Sequence, residues 1–204
     1  MNVQEATTRR LPDLKERHLP ENCRETINTI LKETYGYEQF RNLEIYDDLS
    51  KGKEKLCISQ GQLIENVILE AEKAWKGETQ VDNILLTAPT GSGKSLLFQL
   101  PAIYLGKEYN LLTIVVSPLK ALIVDQVESL QELGYMRVAY ASSDLSPEQK
   151  MEVYRQVREG EIDLFYLSPE LLLSYDIKHF VGERRIGLVV VDEAHTVTTW
   201  GKEF

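Results

Sequence analysis

From residue 81 onward, short apolar runs alternate with stretches whose apolar residues recur at helical spacing. Apolar runs without internal alternation indicate strands buried on both faces, which is typical of a parallel sheet covered by helices. Helices are predicted over residues 95–105, 119–133 and 146–159, the last beginning at Ser146 and Pro147. The alternation therefore predicts an α/β fold over residues 81–204. The predicted strands read NILLTA, LLTIVVS, MRVAYAS, DLFYLS and IGLVVVD.

The first 80 residues follow a different pattern. Residues 1–20 are polar and contain two prolines, which indicates an arm. A helix is predicted from Glu21 to Thr34, with Gly36 as its stop signal, and a second helix in GQLIENVILEAEKAWKG closes at Gly77. The charged, aperiodic residues 44–57 predict a loop or a short helical insertion. We therefore expect a helical extension over 1–80 and a domain boundary near residue 80.

Composition indicates an ordinary water-soluble chain, with 43% hydrophobic and 27% charged residues. No apolar run approaches the roughly 20 residues needed to span a bilayer, and the N-terminus lacks the apolar stretch of a signal peptide. Cys23 and Cys57 are isolated, without metal-ligand spacing. We therefore expect a cytoplasmic protein with two reduced cysteines and no membrane partner.

The segment APTGSGKS lies between the predicted strand NILLT and a predicted helix. Gly91 and Gly93 allow backbone amides to turn inward around an anion at the start of that helix. In this pattern Lys94 reaches the β- and γ-phosphates, and the Ser95 hydroxyl suits Mg²⁺. An ordinary glycine-rich turn is the alternative, although the strand–loop–helix context favours a phosphate-binding loop. The predicted nucleotide contacts in this loop are Thr90, Gly91, Ser92, Gly93, Lys94 and Ser95.

A second motif, GLVVVDEAH, ends a predicted strand with two carboxylates. Sheets of this kind bind their ligands at the carboxyl ends of the strands. Asp192 is predicted to hold magnesium, directly or through water, and Glu193 to polarise the attacking water. His195 is a candidate for linking the nucleotide site to the rest of the protein. The two motifs together predict an ATP and Mg²⁺ site.

APTGSGKS combined with VVVDEAH resembles the superfamily-two helicases, whose two RecA-like domains clamp ATP. KSLLFQLPA, VVSPLKALIVDQVESL, LFYLSPELL and DEAHTVTTWGKEF are similar to segments of the RecQ family. The resemblance covers residues 84–204. It implies a RecA-like domain with a mostly parallel sheet, in a helicase that couples ATP hydrolysis to 3′–5′ movement on single-stranded DNA.

TYGYEQFR is similar to the adenine-recognition motif of RecQ helicases, in which an aromatic side chain stacks on the base. Tyr37 and Arg41 match that motif. The glutamine expected three residues after the arginine is Glu44, whereas Gln62 follows an apparent insertion over roughly 45–61. We favour Gln62, because an amide both donates and accepts at the adenine edge and a carboxylate only accepts. Packing at a helix end is the alternative role for Tyr37 and Phe40.

The RecQ resemblance also implies contacts to single-stranded or forked DNA. Serines and a lysine at the strand ends are candidates for phosphate contacts, with helix capping as the alternative for the serines. The aromatic residues after the acidic motif are candidates for base stacking, with cover for the sheet as the alternative. A net charge of −9 argues against broad electrostatic wrapping of nucleic acid, so we expect local contacts. The candidates are Ser117, Lys120, Ser142, Ser168, Trp200 and Phe204.

The segment after the acidic motif carries Thr199 where the RecQ family usually has glutamine, which puts in doubt how this loop senses DNA. No motif III, arginine finger or RecQ zinc-binding cysteines are found up to Phe204, so a second RecA-like domain beyond Phe204 is the expected partner. Residues 1–204 alone are then expected to bind nucleotide, to hydrolyse it poorly and not to unwind DNA.

Two other functions stay open: an ATP-driven double-stranded DNA translocase of a defence or restriction system, and a non-catalytic nucleotide-gated module. A bacterial cytoplasm or nucleoid is the expected location.

Overall fold

The computed structural model describes residues 16–46, 55–86 and 91–194. The chain divides into two compact units, Met1–Tyr104 and Leu105–Phe204. The domain boundary near residue 80 stays a prediction. The described elements that begin in the first unit are helix α1 (Glu21–Tyr35), strands β1 (Asn42–Tyr46) and β2 (Lys55–Ser59), helix α2 (Gln60–Trp75) and helix α3 (Leu96–Tyr109), which continues into the second unit.

The second unit alternates strands and helices. None of the helices in the described ranges has the length and apolar character needed to cross a membrane. In chain order the elements are β3 (Leu112–Val116), α4 (Lys120–Glu132), β4 (Val138–Ala141), α5 (Pro147–Arg158), β5 (Leu164–Leu167), α6 (Pro169–Ser174), α7 (Ile177–Val181) and β6 (Ile186–Val191).

The predicted helix boundaries have local causes. Gly36 ends α1 with a left-handed φ of 68°, a conformation that glycine adopts without steric cost, and its N–H donates to the Lys32 carbonyl. The Ser146 hydroxyl accepts from the Gln149 N–H and the Gln149 side chain accepts from the Ser146 N–H, which caps α5 at both groups. The helix starts and stops predicted at Ser146 and Gly36 are thus confirmed.

A four-stranded sheet forms the centre of the second unit, in the order β4–β5–β3–β6. All three strand pairs are parallel; Ile114 of β3, for example, pairs with Phe165 of β5 and Val189 of β6. The residues of β3 and β5 are buried throughout. The apolar core beside them includes Tyr154, Val157, Phe180 and Val181 from the helices. The predicted α/β fold with a parallel sheet is confirmed.

Two predicted strands differ from the expectation of burial on both faces. β6 is an edge strand among the described residues, and its Val189 side chain is 58% exposed. Residues 83–86 of NILLTA are not in a strand, and Leu85 is 83% exposed. A strand needs a partner for its backbone groups, and none of the described strands pairs with residues 83–86.

The prediction of a loop or helical insertion over 44–57 was wrong for its described ends. β1 and β2 pair antiparallel, with Leu43 opposite Ile58 and Glu44 opposite Cys57. Leu43 and Ile58 are buried, whereas Glu44 and Cys57 are exposed, so the short strands have the two-residue alternation of a half-buried hairpin. This alternation spans too few residues to stand out in the charged surrounding sequence.

Candidate nucleotide-binding site

The phosphate-binding loop predicted in APTGSGKS is described from Gly91. Gly91 and Gly93 have φ angles of 80° and 79°, which a residue with a Cβ adopts only under strain. The Lys94 and Ser95 carbonyls accept from the N–H groups of Leu97 and Gln99, so both residues lead directly into α3. Backbone amides at such a helix start suit a phosphate group. Thr90 lies outside the described residues.

The adenine-recognition motif brings aromatic and cationic side chains together after α1. The rings of Tyr35 and Tyr37 are stacked with centroids 6.4 Å apart, and the Arg41 guanidinium lies 5.8 Å from the Tyr37 ring centroid. Tyr37 is 47% exposed, so its packing role at the helix end leaves part of the side chain accessible. The Tyr35 hydroxyl donates to Gln99 Oε1 on α3, at 3.3 Å. A partly exposed ring beside a guanidinium suits a planar base.

The structure describes both candidates for the adenine-binding amide or carboxylate. Gln62 Nε2 lies 3.4 Å from the Arg17 carbonyl, to which it donates, and 3.5 Å from His18 Nδ1. Glu44 lies on β1, opposite Cys57. The preference for Gln62 over Glu44 stays a prediction.

Sequence reasoning missed a further residue near the adenine motif and the phosphate loop, Gln60. Its side chain is 3% exposed and hydrogen-bonds both to Arg41 of the adenine motif and to Ser92 of the phosphate loop. Its position two residues before Gln62 was a sequence signal that it lies near the adenine motif. No sequence pattern, however, predicts its contact with Ser92, which is 32 positions further along the chain.

The acidic motif lies in the second unit, directly after β6. The Asp192 N–H donates to the Val116 carbonyl at 2.9 Å, which extends the pairing of β6 with β3 by one residue. Asp192 Oδ1 accepts from the Glu193 N–H at 2.9 Å, and Glu193 has a φ of 51°. Both residues are half-buried at the carboxyl ends of parallel strands, where α/β sheets bind ligands.

The predicted serines also follow strands of this sheet. Ser117, Ser142 and Ser168 come after β3, β4 and β5 and are only 2%, 3% and 1% exposed. Ser142 Oγ accepts from the Asp144 N–H at 3.4 Å, whereas the hydroxyls of Ser117 and Ser168 find no hydrogen-bond partner among the described residues. Ser168 precedes α6 without a side-chain capping bond. Their proposed phosphate contacts stay predictions.

Lys120, the first residue of α4, forms an ion pair with Asp144 at 3.0 Å. The hydrogen bond from Lys120 lowers the pKa of the Asp144 carboxyl. A phosphate contact by Lys120 would therefore compete with this carboxylate. His195, Trp200 and Phe204 lie outside the described residues.

The described site residues fall in both units. The adenine motif and the phosphate loop belong to the unit before Leu105, and the acidic pair and the serines belong to the unit after Tyr104. Within the described ranges, no group of three or more His, Cys, Asp or Glu side chains could hold a metal ion. Magnesium that is bound mainly through substrate phosphates needs only one or two protein oxygen ligands. The predicted Ser95 and Asp192 ligands stay predictions.

Comparisons with known proteins give a family, several relatives and a fold. Residues 62–204 match the model of the DEAD/DEAH box helicase family. The chain is 30% identical to the ATP-dependent DNA helicase RecQ of Haemophilus influenzae, over 88% of this chain and 24% of that protein. It is 33% identical to RecQ of Synechocystis, over 89% and 32%, and 32% identical to RecQ of Bacillus subtilis, over 86% and 24%. The chain thus spans about a quarter to a third of the length of these curated relatives.

A solved structure agrees on the fold. The crystal structure of the DUF1998 helicase MrfA bound to DNA and AMPPNP superposes with a TM-score of 0.53 at 22% identity, over 88% of this chain and 22% of that one. This likeness supports a RecA-like arrangement of the strands and helices.

Proposed function

Because this chain belongs to the DEAD/DEAH box helicase family, we propose that it is the nucleotide-binding part of an ATP-dependent DNA helicase of the RecQ type. The observation that carries the proposal is the turn at Gly91 and Gly93, where two positive φ angles lead into the first turn of α3. Lys94 and Ser95 follow at once, so a cation and a hydroxyl stand beside amides suited to phosphate.

The residues fit ATP with Mg²⁺. Lys94 is assigned to the β- and γ-phosphates, and the Ser95 hydroxyl and the Asp192 carboxylate are assigned to the metal, because oxygen ligands are those that Mg²⁺ prefers. When bound, Mg²⁺ neutralises charge that develops on the phosphates during hydrolysis. Glu193 takes the role of orienting and polarising the attacking water, and His195 that of linking the nucleotide to the DNA-binding residues.

Base recognition is assigned to the adenine motif. The exposed part of the Tyr37 ring stacks on adenine, and Arg41, beside that ring, holds the nucleotide. Gln62 reads the base edge, with Glu44 as the alternative. This assignment follows the resemblance of TYGYEQFR to the adenine-recognition motif, and the proximity of Arg41 to the Tyr37 ring supports it.

DNA binding is assigned to the carboxyl edge of the sheet and to the segment that follows it. Ser117, Ser142 and Ser168 follow three neighbouring strands, and Trp200 and Phe204 offer aromatic rings for stacking on bases. The net charge of −9 argues against broad electrostatic wrapping, so the proposed contacts with a single strand are local. A second RecA-like domain is the other proposed partner. Movement of the helicase along single-stranded DNA in the 3′–5′ direction is part of the same proposal.

Nucleotide titration of the 204-residue chain tests the proposal. Replacing Lys94 with alanine is expected to weaken ATP binding thirtyfold or more, which corresponds to about 2–5 kcal/mol for a lost charged partner. Glu193→Gln should keep ATP binding and, in the full-length protein, stop DNA-stimulated hydrolysis. Lys107→Ala removes the same charge from an exposed position on α3 and is the control.

Equal ATP affinities for the Lys94→Ala variant and the wild type would refute the nucleotide site. Duplex unwinding by the full-length protein, compared with displacement of a triplex strand without unwinding, separates a helicase from a double-strand translocase.

A further inference from the structure

Gln60 connects two parts of the candidate nucleotide site. It is the first residue of α2, and its backbone N–H donates to the Arg41 carbonyl at 2.9 Å. Its side-chain Oε1 accepts from the Arg41 N–H at 3.1 Å, and its Nε2 donates to the Ser92 carbonyl at 3.2 Å. One side chain thus bonds to the backbone of the adenine motif and to that of the phosphate loop.

The β1–β2 hairpin explains how two residues so far apart in the chain meet. Its register pairs Asn42 with Ser59, so the next residues outward, Arg41 and Gln60, face each other at the open end of the hairpin. An antiparallel pair exchanges backbone hydrogen bonds at alternate positions. Here the Gln60 side chain supplies the acceptor for one of the two bonds. The insertion predicted over roughly 45–61 therefore returns the chain to Arg41.

The surroundings of Gln60 hold it in one position. The Ser59 hydroxyl accepts from the Gly61 N–H at 3.1 Å and caps α2. A Cβ added to Gly61 would lie 2.6 Å from a carbon of the Phe40 ring, so this ring packs directly on the helix start. Both neighbours of Gln60 are fixed by their own contacts.

The phosphate loop approaches the Gln60 amide closely. A Cβ added to Gly93 would lie 2.7 Å from Gln60 Nε2, so a side chain at this position would require the Gln60 amide to move. The side chain of Gln60 is buried, and a buried donor or acceptor that loses its partner is costly. An amide satisfies both partners here because it carries an acceptor toward Arg41 and a donor toward Ser92.

We propose that Gln60 is a positioning residue of the nucleotide site, which holds the phosphate loop at a fixed distance from the adenine motif. The inference rests on the proposed nucleotide binding. Gln60 acts through Ser92 and Arg41 and needs no contact with the nucleotide. Without it, the loop amides lose their fixed arrangement, and phosphate binding must supply the ordering.

The test uses a ligand without a base. Binding of Mg²⁺–ATP and of Mg²⁺–tripolyphosphate to the 204-residue chain is measured by calorimetry for the wild type and for Gln60→Met, which keeps the chain length without hydrogen-bonding groups. Both affinities should fall about tenfold, or about 1.4 kcal/mol. Without ligand, the amides of residues 91–95 should exchange hydrogen faster in the variant. Gln156→Met on α5, where the glutamine side chain donates to Glu152 at 3.1 Å, should leave both measurements unchanged.

A second variant covers a failure of Gln60→Met to fold. Gln60→Asn keeps the amide, but its side chain is one methylene too short to reach both partners. This variant should bind both Mg²⁺–ATP and Mg²⁺–tripolyphosphate more weakly than the wild type. A loss of ATP affinity with unchanged tripolyphosphate affinity would instead make Gln60 a direct base contact and overturn the proposal. A lower urea midpoint with both affinities unchanged would reduce Gln60 to a structural residue. If the wild type binds neither ligand, the proposed function itself fails.

Discussion

Gly106→Ala reverses the usual effect of replacing a glycine inside a helix. Gly106 lies within α3, where alanine is favoured over glycine by up to about 1 kcal/mol. A Cβ at this position, however, would lie 2.6 Å from both the Cβ and the Oδ2 of Asp163. The substitution can be accommodated only if the backbone at Asp163 or the helix moves, because rotating the Asp163 side chain leaves its Cβ in place.

Asp163 cannot move without breaking a buried ion-pair network. It is 2% exposed and accepts from Arg137 Nε at 2.6 Å, from an Arg184 amino group at 2.9 Å and from the Tyr135 hydroxyl at 3.2 Å. Burial lowers the pKa of Arg184, and its hydrogen bond to Asp163 opposes this effect. The backbone of Asp163 is fixed as well, because its N–H donates to the Arg137 carbonyl. Breaking such a network costs about 3–5 kcal/mol.

The net effect of Gly106→Ala is therefore a loss of about 2–4 kcal/mol in the free energy of unfolding, after subtracting about 1 kcal/mol for helix propensity. Equilibrium urea denaturation followed by circular dichroism measures it. Asp163→Gly removes both the Cβ and the carboxylate that the new methyl group would meet, so in that background adding Gly106→Ala should be neutral or stabilising. A Gly106→Ala protein as stable as the wild type would refute the rigidity of this network.

Two further predictions concern other parts of the chain. Burial alone raises the pKa of Glu70, but hydrogen bonds from a backbone amide, Lys73 and Arg17 outweigh it and leave the pKa below its ordinary value of 4.5. The stability that Glu70 contributes is present above pH 4.5 and is lost as the pH falls through the lowered pKa. The urea midpoint of the wild type should therefore drop more steeply between about pH 5 and pH 3 than that of Glu70→Gln. Parallel plots of urea midpoint against pH for the two proteins would contradict this. Ser146→Ala removes the hydroxyl that caps α5 and should lower the free energy of unfolding by about 1 kcal/mol in the same assay. An unchanged urea midpoint would mean that the Gln149 side chain alone satisfies the start of the helix.

The parts of the fold that the sequence predicts are those with local causes. Gly36 and Ser146 mark helix ends because a positive φ and a capping hydroxyl act within a few residues. β3 and β5 were predicted because full burial makes nearly all of their positions apolar. The β1–β2 hairpin was missed because only Leu43 and Ile58 carry its buried face in the described part of the chain.

The candidate site shows the same division. Residue type and spacing predict Lys94, Ser95 and Asp192, because the chemistry of phosphate and magnesium demands those groups. Gln60 could not be predicted, because its role depends on the hairpin register that brings it to Arg41 and on its contact with Ser92. Contacts between distant segments depend on packing that a local pattern does not encode.

The backbone conformation at Glu193 bears on the proposed role of its carboxylate. A φ of 51° is a conformation that glycine adopts freely and that costs a residue with a Cβ about 1 kcal/mol or more. The chain offsets part of this cost through Asp192 Oδ1, which accepts from the Glu193 N–H. A glycine would make the turn without strain and without this help. The cost of a glutamate in this turn is compatible with the proposed role of its carboxylate in orienting a water molecule for attack on ATP.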